Sequence, residues 1–319
     1  MQTTIHLSRR HALLTGAAAL AGAAAGAGLG LAPRASLAKA DMMGASVPLF
    51  SRVKFGAFEV TTLLAGTRTG GEPHTIFGLN VSDADFAAAS AAAFIPADKA
   101  QFYFTPTLVN TGAELVLFDT GLDPAGLTAA MAAAGYTPDQ VDTVVITHMH
   151  PDHIGGLAGD AGPTFANARY VTGAAEHNFW SGQANELFDK NVKPLNDKFT
   201  MIDDGGSAGP GLTGIAAFGH TPGHMVWMLE SGGARLAVTA DTANHYIWSL
   251  GHPDWEVKFD ADKPAAAAAR RQVFGMIAAD RIPFIGYHMP FPSTGFVEAA
   301  GDGFRYVPAS YQLSIGDPA

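Results

Sequence analysis

The sequence predicts an α+β protein in which two β-sheets pack face to face and helices cover their outer faces. Three observations carry that expectation. Short apolar runs recur along the 319 residues and pair off around glycine-bearing turns, as hairpins do. A few stretches with helical periodicity and capping residues are interleaved with them. Four of the apolar runs end in His or Asp, as one edge of a sheet sandwich would need in order to gather them into a single site.

The first forty residues stand apart from that fold. Ser8-Arg9-Arg10 carries a twin arginine, residues 12–32 run without a charge, and Ala38-Lys39-Ala40 offers a small-x-small cleavage site before Asp41. Together they read as a twin-arginine export signal over residues 1–40, followed by one domain over 41–319. The apolar stretch is long enough to span a bilayer. Its Ala/Gly composition is weakly hydrophobic, however, and the cleavage site follows it, so no membrane anchor is expected after processing and the location is periplasmic or secreted. The signal removes Arg9, Arg10, Arg34 and Lys39 and no acid. The 19 Lys and Arg less these four leave 15 against 29 Asp and Glu, a formal charge of −14. So acidic a chain is a poor partner for phosphate backbones, and nucleic acid is set aside.

Within the domain, residues 53–55 and 58–64 read as strands joined at Gly56, and 68–81 as a Gly/Pro-bearing loop. Ser82 caps a helix that runs to about residue 94. Residues 104–110 and 114–118 form a hairpin around Thr111-Gly112, ending in Asp119-Thr120-Gly121. A helix over 124–134 has Pro124 in its first turn and Gly135 as its stop. The buried run Val144-Val145-Ile146 leads into a loop. Beyond it come a strand at 169–172, a helix beginning at 174–180 and a strand at 214–218. A hairpin follows from 225–230 and 235–239. Asp262 caps a helix over 263–279, then come a strand at 282–287 and closing runs at 296–298 and 304–307.

The loop after Ile146 is Thr147-His148-Met149-His150-Pro151-Asp152-His153, three imidazoles and a carboxylate within six positions. Neither a core nor a surface requires that density. Imidazole nitrogen and carboxylate oxygen suit zinc and related divalent ions. Gly155-Gly156 is expected to let the backbone turn sharply. Three later strand ends offer His220, Asp241 and His288. Alone, each reads as a turn residue or a satisfied polar group; with the 148–153 cluster they read as one binuclear site. The chain has no cysteine, so every protein ligand is His, Asp or Glu.

The pattern His-x-His-x-Asp-His at 148–153, Gly-His-Thr-Pro-Gly-His at 219–224, Thr-Ala-Asp-Thr at 239–242 and the late His288 resembles the metallo-β-lactamase superfamily. The likeness covers nearly the whole chain after residue 40. It implies an αββα sandwich of two mixed sheets. It also implies two divalent metal ions, zinc first, with iron, manganese or cobalt as alternatives. His148, His150 and His220 would hold one ion, Asp152, His153 and His288 the other, and Asp241 would bridge them. Asp119 matches a family element just outside the ligands, where it would orient a ligand His through its other ring nitrogen. His224 is expected to support the ligands rather than join them. Two cations lower the pKa of a shared water, giving a hydroxide that attacks carbonyl carbon or phosphorus. Asp152 and Asp241 are the expected catalytic carboxylates.

Within the superfamily the sequence resembles exported methyl parathion hydrolase-like enzymes and their lactonase and arylesterase relatives. Gly56-Ala57-Phe58-Glu59-Val60-Thr61, the 134–142 segment, Phe179-Trp180 and Gly303-Phe304-Arg305-Tyr306-Val307-Pro308 carry that resemblance. It implies hydrolysis of lactones, aryl esters or organophosphate triesters, small-molecule partners only, and a homodimer. N-acyl-homoserine lactonase is the alternative. Such lactonases place a Tyr three residues after the bridging Asp, where this chain has Asn244. An iron redox protein on the same ligand set is a further alternative, weakened by the lack of a flavin-binding domain. Trp180, Asn244, Tyr246, Trp248 and Phe291 flank the ligand loops and are expected to line the substrate pocket.

Overall fold

A computed structural model describes residues 41–314. The export signal expected over 1–40 lies outside the described residues. The chain divides into a unit ending at Ser46, whose described residues 41–46 are irregular and exposed, and a unit from Val47 onward. Among the described residues all regular structure belongs to the second unit, and no helix is long and apolar enough to cross a membrane.

The chain opens with β1 (Phe50–Phe55), β2 (Phe58–Leu63), β3 (Gly66–Gly71), α1 (Asp83–Ala92), β4 (Lys99–Phe104), β5 (Thr107–Asn110) and β6 (Leu115–Phe118). Next come α2 (Pro124–Ala133), β7 (Thr143–Ile146), α3 (Pro151–Ile154), β8 (Ala158–Gly159), β9 (Gly162–Pro163) and β10 (Arg169–Gly173). They are followed by α4 (Ala174–Ser181), α5 (Glu186–Asn191), β11 (Phe199–Ile202), β12 (Ser207–Gly209) and β13 (Leu212–Ala216). The chain closes with β14 (Met225–Ser231), β15 (Ala234–Ala240), α6 (Lys263–Asp280), β16 (Phe284–Gly286), β17 (Thr294–Ala300) and β18 (Gly303–Pro308).

Two seven-stranded sheets result, in the orders β1-β2-β5-β6-β7-β10-β11 and β12-β13-β14-β15-β16-β17-β18. Both are mixed. The first is antiparallel as far as β6 and parallel from β6 through β11. The second is antiparallel except where β15 and β16 run parallel. The two-residue period of a strand separates the faces. In β7, Val145 enters the core between the sheets with Val116, Trp227, Leu229 and Val238, while Val144 and Ile146 face a second core under α2. The outer face of the second sheet packs Ala237 and Phe284 against Val273, Phe274 and Ile277 of α6. Three apolar cores between four layers make the expected αββα sandwich.

Capping sets the helix starts. The side chains of Ser82 and Asp262 accept backbone N–H groups at the first turns of α1 and α6, as the sequence predicts, and Asp123 does the same for α2. The structure differs from the expectation in the stretch read as a loop over 68–81. Its beginning is β3, a strand paired along its length with β4. Gly66, Gly70 and Gly71 depress local strand propensity, and pairing with the aromatic run Phe102-Tyr103-Phe104 overrides it. Other edges are tighter than expected: 214–218 ends as a strand at Ala216, and 282–287 contracts to β16. After Ser181 come α5, a short 3₁₀ helix (Lys193–Lys198) and β11.

Parallel neighbours end at the same edge. β6, β7 and β10 deliver Asp119, Thr147-His148 and α4 to one rim, and the parallel pair β15–β16 delivers Asp241 and His288. The candidate site is therefore a consequence of strand direction.

Candidate metal centre

The seven expected ligands come together in two groups. Donor atoms of His148, His150 and His220 lie within 4.8 Å of one another, and so do those of Asp152, His153, Asp241 and His288. Asp241 faces both. Its Oδ2 is 3.4 Å from His220 Nε2, 3.9 Å from His148 Nε2 and 3.2 Å from His288 Nε2, and its Oδ1 is 3.3 Å from His153 Nε2. Asp152 Oδ2 lies 3.2 Å from His288 Nε2 and 3.7 Å from His153 Nε2. All seven side chains are wholly or largely buried.

Hydrogen bonds to the second ring nitrogen fix four of the five imidazoles, the usual support for metal-binding His. His153 Nδ1 donates to Asp119 Oδ2 at 2.8 Å, His220 Nδ1 to Asp260 Oδ1 at 2.9 Å, and His288 Nδ1 to the Tyr103 carbonyl at 2.8 Å. Thr147 gives its hydroxyl proton to Asp119 Oδ2 at 2.8 Å, so its oxygen accepts from His148 Nδ1 at 3.1 Å. These bonds leave the Nε2 lone pairs of His148 and His220 facing each other 3.2 Å apart. That spacing suits a cation held between them. Tetrahedral zinc with bonds of about 2.0–2.1 Å would set its nitrogens roughly 3.3 Å apart. In the other group His153 Nε2 and Asp241 Oδ1 are buried without any hydrogen-bond partner. The donor set thus fits two divalent cations.

The carboxylates of the site attract positive charge to its second group. Burial, then His153, pushes the His148 pKa well below its ordinary value, and burial with His220 pushes His150 to about 3. Burial would lower His288 too, but Asp241 and Asp152 outweigh it and hold the ring protonated up to about 10. Burial would raise Asp241, but His288 and His153 hold its carboxyl well below the usual range.

The scaffold is under local strain at this rim. Asp119 and Ala240 adopt left-handed backbone conformations, φ 59° and 44°, which cost of order 1–3 kcal/mol each. Asp119 also accepts the Thr147 backbone N–H at 2.9 Å, so one carboxylate holds both the β7 end and His153. His224 falls in neither group: its Nε2 accepts the Asp241 backbone N–H at 3.1 Å, and burial holds its pKa at about 3. Gly155 and Gly156 serve close approach rather than a sharp turn. Their backbone is helical, and a Cβ at either would meet the Leu122 or Thr120 carbonyl oxygen at 2.1 Å.

Several supporting residues escape sequence reading. Asp260 holds His220 and is itself gripped by the buried Arg270, whose Nη1 donates to Asp260 Oδ2 at 2.9 Å. The Tyr287 hydroxyl donates to the Asp152 carbonyl. Glu176 collects three donors from the two His-bearing loops and a fourth from Trp180 in its own helix. No local pattern marks these positions, because most of their partners come from distant segments.

Above the ligands opens a cavity of about 490 Å³ lined by Arg68, Ile76, Phe102, Phe104, Leu122, Phe259 and Asn244, with His150, Asp152, Asp241 and His288 among its floor residues. The rings of Phe104 and Phe102 stand edge-on to His288 at 5.6 and 6.4 Å. Of the five residues expected to line the pocket, only Asn244 does; its Nδ2 donates to Asp241 Oδ2 at 2.9 Å. Trp248 turns the other way into a core with Phe77 and Phe86, where its Nε1 donates to Ser90 in α1. Tyr246 packs under the second sheet near Tyr306. Trp180 lies behind His150, with its Nε1 bonded to Glu176 and its ring against the α2-side core. Phe291 is half-buried and off the cavity. Proximity in sequence to a ligand loop does not set which way a ring points.

A model of the metallo-beta-lactamase superfamily matches residues 105–284. The chain belongs to that superfamily. Among solved structures, a dizinc quorum-quenching lactonase in complex with a product, N-hexanoyl-L-homoserine, superposes with a TM-score of 0.76 at 24% identity, covering 82% of this chain and 98% of that one. A hydrolase of the beta-lactamase superfamily gives a TM-score of 0.76 at 23% identity, covering 84% and 100%. Both show a shared fold, the metallo-beta-lactamase fold. An N-acyl homoserine lactonase of Bacillus sp is 28% identical over 109 residues, which is 33% of this chain and 41% of that relative, less than half its length.

Proposed function

We propose that this superfamily member is a binuclear metal-dependent hydrolase of lactones, aryl esters or organophosphate triesters, of the methyl parathion hydrolase-like branch. The observation that carries the reading is the pair of ligand groups sharing Asp241 at the floor of an aromatic-walled cavity. His148, His150 and His220 would hold one ion, Asp152, His153 and His288 the other, and Asp241 both; zinc suits this nitrogen and oxygen set. When bound, the ions supply Lewis acidity that acidifies water near neutral pH and polarises the scissile oxygen. The chain contributes the rest. Phe102, Phe104 and Phe259 bury the apolar part of a substrate and exclude bulk water. Asp152, which lines the cavity, would accept a proton from attacking water. Asn244 holds the Asp241 carboxylate in register.

N-acyl-homoserine lactones are the second reading, favoured by the lactonases that this chain resembles in fold and in part of its sequence. Residues 1–40 would export the folded protein, no membrane anchor would remain, the partners would be small molecules rather than nucleic acid, and the chain would form a homodimer. The test is a hydrolysis panel on protein loaded with two zinc ions: dihydrocoumarin, an aryl acetate, a paraoxon-type triester and an N-acyl-homoserine lactone. Turnover of at least one is expected, and its identity chooses between the readings. Inactivity toward all four with both metals bound would overturn the proposal.

A further inference from the structure

Glu176, in the first turn of α4, is fully buried and hydrogen-bonds no ligand side chain. Its carboxylate instead collects four donors. Oε1 accepts the Met149 backbone N–H at 2.8 Å and the Trp180 Nε1–H at 2.7 Å. Oε2 accepts the Thr221 hydroxyl at 2.7 Å and the Gly223 N–H at 2.9 Å. Met149 lies between His148 and His150, and Thr221 follows His220. One carboxylate thus ties together the two segments that carry the three-imidazole group. The contact is close, since a Cβ on Gly223 would meet the Glu176 nitrogen at 2.0 Å.

The same residue reaches His150 by a second route. His150 is the ligand imidazole for which no ring-nitrogen hydrogen bond occurs among the described residues. Its ring stands edge-on to Trp180 at 6.0 Å, and Trp180 is held by Glu176. We propose that Glu176 is the positioning residue of the three-imidazole group, clamping the 148–150 loop to the 220–223 loop and setting His150 through Trp180. Four donors converge on the two oxygens, so an ionised carboxylate satisfies them all. An amide cannot, because its NH2 would face two donors. The other group draws its supports from Asp119, Tyr103 and Tyr287 instead. Losing Glu176 therefore acts on one metal and not on both.

The inference rests on the two-metal reading, and zinc titration of the metal-free protein against a chromophoric chelator separates the two. Glu176→Gln is expected to weaken one zinc equivalent by about 10- to 100-fold, the usual cost of losing a residue that supports a ligand, while the other keeps its parental affinity. That equivalent is assigned to the three-imidazole group if it is also the one lost in His220→Ala and kept in His288→Ala. Thr221→Val, which removes a single donor, is expected to weaken the same equivalent by a smaller factor, and it decides the matter if Glu176→Gln does not fold. Tyr170→Phe, which removes a buried hydroxyl bond to the Phe165 carbonyl far from the ligands, is expected to change neither. Parental affinities in the Glu176 and Thr221 variants, or equal weakening of both equivalents, would overturn the inference. A parent that binds fewer than two zinc ions would instead sink the two-metal reading itself.

Discussion

The two ligand groups solve one problem in different ways. His148, His150 and His220 offer three imidazoles and no carboxylate, so attraction for a cation comes mainly from outside the group, through Asp241. Asp152, His153, Asp241 and His288 bring two carboxylates of their own. The three-imidazole group is instead tied across its two loops: Glu176 joins them, and the buried Asp260–Arg270 pair fixes His220. The difference teaches that a site can hold a cation by charge or by preorganisation. It also implies that the two halves respond differently to damage.

Four measurements can break or sharpen that contrast. Asp241→Ala removes the one carboxylate that faces both groups. Both metals are expected to be lost on dialysis, and hydrolysis is expected to fall by about 10³-fold or more, as when a catalytic unit is dismantled. Retention of both metals would end the bridging role. His220→Ala and His288→Ala should each leave one ion, on opposite groups, with activity down by about 10²-fold; loss of both ions in either would show one indivisible site. Asp260→Asn should weaken the three-imidazole group's metal about 10- to 100-fold. It also leaves the Arg270 cation buried without its partner, costing about 3–5 kcal/mol of folding stability that thermal or urea unfolding would register. Phe102→Ala should touch neither group. Metal content stays at two while KM for an aryl substrate rises roughly 5- to 10-fold, the worth of about 1–1.5 kcal/mol of lost apolar contact; a change in metal content would mean that the wall and the floor are coupled.

The floor was legible in the sequence and the wall was not, for a physical reason. Four of the expected ligands fall in one run of six residues, and the other three follow apolar strands, so local chemistry marks them. The layers were legible too, since period-two burial and capping residues are local signals. The wall is built by tertiary pairing. Phe102 and Phe104 reach the cavity because β4 pairs with a glycine-rich strand that reads as loop. Trp248 and Tyr246 follow a ligand closely in sequence, yet the chain after Asp241 turns them into separate cores. Glu176 and Asp260 are ordinary acids until the fold brings them their donors from across the molecule.

The central claim is that two cations act together on the shared Asp241. Its most direct test is the initial hydrolysis rate of the metal-free protein as zinc is added by equivalents, on whichever panel substrate is turned over. The rate should stay near zero through the first equivalent, rise through the second and level off at two. Full activity at one equivalent, or a rate indifferent to zinc, would contradict the account.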